Sequence, residues 1–228
     1  MNSRKLIFAA SIVLALLPAR GAFAADNLES VLRRLDASAA NFRTTSAEFE
    51  FDTVTTMPID DKDVQKGTAY YKREGKNFQM AAHIDEVNGK PVPKDLAYSD
   101  GKVVLFEPLQ NQARIMDAAK YESYLLLGFG ASGKELADRW QMKYDGPEVV
   151  DGIKTDKLEL VAKDPNVLKL FPKIVVWLDT DHAVSLKQVF DEGQGVTRTC
   201  IYSHFKTNQG LPKDAFTLKT NKQTHYVK

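Results

Sequence analysis

From residue 47 onward the apolar side chains of this chain recur every second residue, and the repeats are joined by turns too short for anything but antiparallel neighbours. Ala47, Phe49, Phe51 and Thr53 fall on one side of an extended segment, while Glu48, Glu50 and Asp52 fall on the other. That is the pattern of a strand with one buried and one wet face. Asp100-Gly101, Asp151-Gly152 and Glu192-Gly193 each stand between two such segments. A dipeptide of this kind turns a strand back on its neighbour, whereas a parallel neighbour needs a crossover of about a dozen residues or more.

Strands are therefore expected at 67–73, 76–84, 96–99, 102–107 and 113–116, and again from 140 through 157–162, 174–178, 183–190 and 196–206. A final pair is expected at 216–218 and 225–227. The polar stretch 57–66, with Asp60, Asp61 and Asp63, is expected to be an exposed hairpin loop.

Before this pattern starts the period is 3.6. Leu28, Val31, Leu32 and Leu35 follow the i, i+3, i+4, i+7 rule, which predicts an amphipathic helix over 27–41, capped by Asp26 or Asn27. Shorter helices are predicted at 121–127, 133–138 and 167–171. Helices this apolar need a surface to cover, and a long sheet with one dry face needs a cover. The expected fold class is α+β, mainly antiparallel β, with the helices lying in the concave face of a curved sheet.

Residues 1–24 read as a cleavable signal peptide. Arg4 and Lys5 precede a short apolar run, and Ala22-Phe23-Ala24 supplies the small-x-small cleavage pattern. Residues 25–228 are then one exported domain. Of 31 Lys and Arg side chains, Arg4, Lys5 and Arg20 leave with the leader, so 28 face 30 Asp and Glu, a net of about −2. Nothing in that balance favours nucleic acid or an anionic membrane. Cys200 is the only cysteine. The fold is expected to rest on its core rather than on a disulfide, and without a cysteine near the cleavage point the mature chain is expected to be soluble and not lipid-anchored.

Residues 125–135 carry two nucleotide-binding spacings at once. Gly128, Gly130 and Gly133 match G-x-G-x-x-G, and 128–134 matches the start of a P-loop. A P-loop needs a metal-binding hydroxyl at the next position. Here stands Glu135, which would repel a triphosphate. The dinucleotide pattern needs a βαβ unit, and β-hairpins follow instead. The segment is read as a flexible connector and a candidate hinge.

Other chemistry is not supported. His83, His182, His204 and His225 are scattered singly, without metal-ligand spacing. Ser132 lacks the nucleophile-elbow pattern. Cys200 and His204 lie ~13 Å apart on an extended strand, too far to activate a thiol. No catalytic residue, metal or cofactor is expected, and the chain is not expected to be an enzyme.

The order of elements carries a resemblance: Leu32-Arg33-Arg34-Leu35 in the first helix, Ala47-Glu48-Phe49, Gly67-Thr68-Ala69-Tyr70-Tyr71-Lys72-Arg73, then Ser99-Asp100-Gly101-Lys102 leading to Leu105-Phe106-Glu107-Pro108. From about residue 28 to its end the chain resembles the periplasmic outer-membrane lipoprotein carriers (LolA-like). The resemblance implies an incomplete, half-open barrel of about eleven strands with a helical lid over an apolar cavity. It implies a periplasmic carrier taking lipoprotein acyl chains, or another lipid, from an inner-membrane ABC exporter complex to a possible outer-membrane receptor. It also implies that Arg73 bonds lid carbonyls and keeps the empty carrier closed. Apolar side chains expected to line the cavity are Leu28, Leu32, Leu35, Phe49, Phe51, Tyr71, Phe78, Met80, Phe106, Leu126 and Phe129. Phe51 and Glu74 stand where the family pattern has Gln and Pro. A lipid- or lipoprotein-sensing regulatory module on the same fold is the alternative.

Overall fold

The computed structural model describes residues 27–75, 77–119 and 122–227. The signal peptide, the start of the expected strand at Lys76 and the start of the expected helix at Tyr121 lie outside the described residues.

Helix α1 (Leu28–Ala39) opens with Asn27, whose side chain accepts the Ser30 amide at 2.9 Å. Its buried stripe is Val31 and Leu35. The chain then becomes a long meander: β1 (Thr44–Thr55), β2 (Asp61–Glu74), β3 (Asn77–Val87), β4 (Lys90–Ser99), β5 (Lys102–Glu107) and β6 (Gln112–Asp117). Helices α2 (Glu122–Leu125) and α3 (Gly133–Arg139) interrupt it. A second meander follows: β7 (Trp140–Val150), β8 (Ile153–Ala162), helix α4 (Pro165–Leu170), β9 (Lys173–Asp179), β10 (Val184–Gly193) and β11 (Val196–Thr207). Strand β12 (His225–Val227) comes last.

All twelve strands share one sheet in the order β12-β6-β5-β4-β3-β2-β1-β11-β10-β9-β8-β7. The two meanders meet along the antiparallel pair β1 and β11. Every pairing is antiparallel except that of β12 with β6. The sheet ends at β12 and β7 and does not close into a barrel. The turns Asn88-Gly89, Asp100-Gly101 and Asp151-Gly152 have positive φ at both residues, the backbone that two-residue hairpins require.

Three expectations are corrected. The loop expected at 57–66 shrinks, because β2 begins at Asp61. Lys62 and Lys66 pair across the hairpin with Asp52 and Glu50, at 2.7 and 2.9 Å, so a polar stretch that looks like loop is the wet face of a ladder. Residues 216–218 form no strand. Instead β12 is seated beside β6 by His225 N–H donating to Asn111 O at 3.0 Å and Thr224 Oγ1 donating to Asn111 Oδ1 at 2.8 Å. The sheet accordingly has twelve strands rather than about eleven.

The core divides in two. Under α1 and α3, Val31, Leu35, Leu136, Trp140, Leu158 and Ile174 pack on the β7–β10 half of the sheet. The other cluster, on β1–β5, β10 and β11, is built around Tyr71, Met80, Tyr98, Phe129 and Tyr202. No helix of eight or more residues among those described covers this second half. That unequal cover leaves a groove.

Candidate functional site

Helix α1 is fixed in place. Arg34 reaches from it to Asp156 on β8 at 2.7 Å and to Thr180 at 3.1 Å, while Ser38 donates to the Thr180 carbonyl at 2.7 Å. Asp156 is buried and also accepts from Tyr144 at 3.0 Å.

The segment after α2 is held differently. Phe129 is buried and lies flat on Tyr71, ring centroids 3.7 Å apart and planes 6° apart, with Tyr202 edge-on at 4.9 Å. Its neighbours are hydrogen-bonded into the sheet. Gly130 N–H donates to Ala183 O at 2.8 Å, and the Gln188 amide donates to Leu127 O at 2.6 Å. Gly128 and Gly130 have φ of +78° and +68°. A Cβ on Gly130 would stand 2.3 Å from the Phe42 ring. The glycines serve a close approach of backbone to core. This segment is a buried plug, and the flexible connector expected from sequence is corrected accordingly.

Arg73 clasps the plug. One guanidinium nitrogen donates to Gly130 O and, at 3.2 Å, to Glu135 Oε2; the other donates to Glu135 Oε1. The backbone amide of Arg73 is itself fixed to Arg43 O at 2.8 Å. Glu135 also completes the capping box of α3. It accepts the Ser132 amide at 2.9 Å, while Ser132 Oγ accepts the Glu135 amide at 3.1 Å. Burial alone would push the Glu135 carboxyl up, but the bonds from Arg73 and from the Ser132 amide outweigh it and hold the pKa down at about 2.

Beyond the plug lies an apolar groove of about 400 Å³ between β11, β1 and the strands β2–β5. Of the side chains expected to line a cavity, Phe49, Phe51, Tyr71 and Met80 line this groove. Arg73, Phe78, Leu126 and Phe129 border a second cavity, of about 270 Å³, beside the clasp. Leu28, Leu32 and Leu35 instead pack in the cluster under α1. Phe106 pairs with Asp95, whereas the adjacent pair Leu96 and Leu105 lines the groove. Alternation therefore puts Phe106 on the opposite face.

Ala69, Ile84, Leu96, Leu105 and Leu125 also line the groove, beyond the side chains expected there. The Asp100-Gly101 turn fixes Leu96 opposite Leu105, so that pair was readable from the turn. Glu135 was readable as well, as the end of the capping box Ser132-x-x-Glu135.

Three of the histidines are paired with carboxylates. His83, His182 and His204 face Asp95, Asp179 and Glu48 at 2.6, 2.7 and 3.1 Å. Cys200 is buried, which pushes its thiol up to about 12. Tyr71 and Tyr202 are raised by burial too and stay protonated.

The architecture is an open antiparallel sheet with an inserted helical cover over an apolar groove. No family model and no curated protein matches the chain. Among solved structures, an uncharacterized conserved protein from Thermus thermophilus aligns with a TM-score of 0.55 at 12% identity, covering 87% of this chain and 97% of its own. MucB aligns at 0.51 and 12% identity over 84% of this chain, which spans 62% of MucB's length. At these identities the likeness is one of fold. A LolA superfamily protein from Nitrosomonas europaea was also matched, at 0.42 and 15% identity over 85% of this chain and 99% of its own.

Proposed function

We propose that this is a periplasmic carrier that shelters acyl chains, by hypothesis those of lipoproteins, in the groove between β11 and β5, and that it works without chemistry. The observation that carries the reading is the Arg73 clasp. It holds the plug, Phe129 and its flanking glycines, against Tyr71, which lines one end of an apolar groove.

The energetics suit reversible loading. Burying an acyl chain contributes about 0.8 kcal/mol per CH₂ before ordering costs, so a chain of ~16 carbons could gain roughly 12 kcal/mol. A load held that firmly needs an opposing force for release. Opening the lid breaks the bond from Arg73 to the Gly130 carbonyl, and a charge-assisted bond of this kind contributes about 1.5–3 kcal/mol. It also withdraws Phe129 from its aromatic stack. Both return when the chain leaves, so the empty state favours unloading.

Export rests on the leader read in residues 1–24. The exporter complex and the outer-membrane receptor follow from the resemblance alone. The direct test is a fluorescent acyl probe. Saturable binding that is competed by unlabelled lipid supports the carrier, and absence of binding overturns it.

A regulatory module that senses lipid or lipoprotein is the second reading. What favours it is the shared fold with MucB, a protein solved in complex with MucA. Depletion separates the two readings. Mislocalised outer-membrane lipoproteins support the carrier, and altered stress transcription with normal localisation supports the sensor.

A further inference from the structure

The groove is not uniformly apolar. Gln65, Lys94 and Arg198 line it together with the aromatic and aliphatic residues. By register these three lie toward the end of the sheet that carries the turns at 56–60, 88–89 and 194–195. Tyr71 and Met80 lie toward the opposite end, near Arg73.

Two of these three side chains have partners, as does Gln188 elsewhere in the lining, which donates to Leu127 O at 2.6 Å. Arg198 is paired with Glu192 at 2.7 Å, and Gln65 donates to Asp63 at 2.9 Å. Lys94 is different. It is half-buried, sits opposite Ile84, and has no ion-pair partner among the described residues. A cation partly withdrawn from water and left uncompensated favours an anion beside it.

Resting on the acyl-chain reading above, we infer that the groove takes a single-chain amphiphile with an anionic end, its head beside Lys94 and its tail running toward Tyr71 and the Phe129 plug. Lys94 and Tyr71 are separated by four residues of strand, since Lys94 is level with Ile84 and Gly67, or ~13 Å. The tail therefore has a defined apolar track. The anionic end is a carboxylate or a phosphate, which a free fatty acid or a lysophospholipid would respectively supply.

Equilibrium binding of radiolabelled hexadecanoate, hexadecyl phosphate and neutral hexadecanol to the mature protein tests this. Wild type is expected to bind the better of the two anions at least about tenfold more tightly than hexadecanol, the size of one charge-assisted contact. Whichever anion wins identifies the source. Lys94→Gln and Lys94→Met are each expected to erase most of that preference, bringing the affinity for the better anion down to within about twofold of that for hexadecanol in the same variant. Equal binding of all three by wild type, or an anion preference that survives both variants, overturns the inference and leaves the acyl reading standing. Failure of all three to bind overturns both.

Discussion

Phe129 lies face to face on Tyr71, with 3.7 Å between ring centroids and 6° between planes. Tyr71 itself lines the apolar groove, so the plug rests on a side chain that a ligand in the groove would touch. On the carrier reading, plug and cargo would share this one aromatic side chain.

Replacing Phe129 with Ala removes the plug's ring from Tyr71. The stack and its burial are lost, and a buried Phe→Ala change costs about 3–5 kcal/mol, so the denaturant midpoint should fall. Acyl-probe affinity should nevertheless rise severalfold. A variant that is destabilised and binds no more tightly would mean that Phe129 is core alone.

Arg73→Leu breaks the clasp without touching the groove between β1 and β5. With the closed empty state weakened, the loaded state gains by comparison. The off-rate of an acyl probe into acceptor vesicles should drop about tenfold or more, corresponding to one charge-assisted bond. Arg73→Lys should fall between wild type and Leu, because an ammonium cannot bridge Gly130 O and both Glu135 oxygens as a planar fork does. Wild-type transfer rates in Arg73→Leu would remove the clasp from the mechanism.

The clasp should also respond to acid. The Glu135 carboxyl is held at about 2 against an ordinary value of 4.5. Its contribution to folding is complete above pH 4.5 and declines as the pH falls from there toward 2. Limited proteolysis of residues 126–132 should accelerate across that window. Glu135→Gln should flatten the response, and an unchanged pH profile in that variant would assign the acid sensitivity to other groups.

Glycine positions offer a contrast within one protein. Gly130 and Gly152 both have positive φ, but a Cβ at 130 meets the Phe42 ring at 2.3 Å, whereas one at 152 meets nothing within 4 Å. Gly152→Ala should cost only the backbone strain, about 1–2 kcal/mol. Gly130→Ala should cost clearly more and should loosen the plug, seen as faster amide exchange at Gly130. Equal costs would show that the close approach at 130 relaxes easily.

How far the sequence carried these features depends on how each one is encoded. The first helix, the meander and the Asp100-Gly101 turn were legible because period and turn chemistry are local. Strand β2 reads short because residues 61–66 are polar but for Val64, and only their pairing with β1 reveals a ladder. Phe106 reads as groove-facing for the opposite reason. Val103-Val104-Leu105-Phe106 is apolar on both faces, and the outer one is covered by the C-terminal segment, where Ala215 is buried and its carbonyl faces His83 at 2.9 Å. The stripe Leu28, Leu32, Leu35 announces burial without naming the half of the sheet it covers. That choice is made by long-range contacts such as Arg34 to Asp156, which no local pattern encodes.

The carrier reading meets its most direct test in native mass spectrometry of the protein purified from the periplasmic fraction of its native host. A population heavier than the bare chain, whose added mass is released on unfolding as an acyl-bearing molecule, is the expected result. A spectrum showing the bare chain alone, unchanged after incubation with lipid extract, would contradict it.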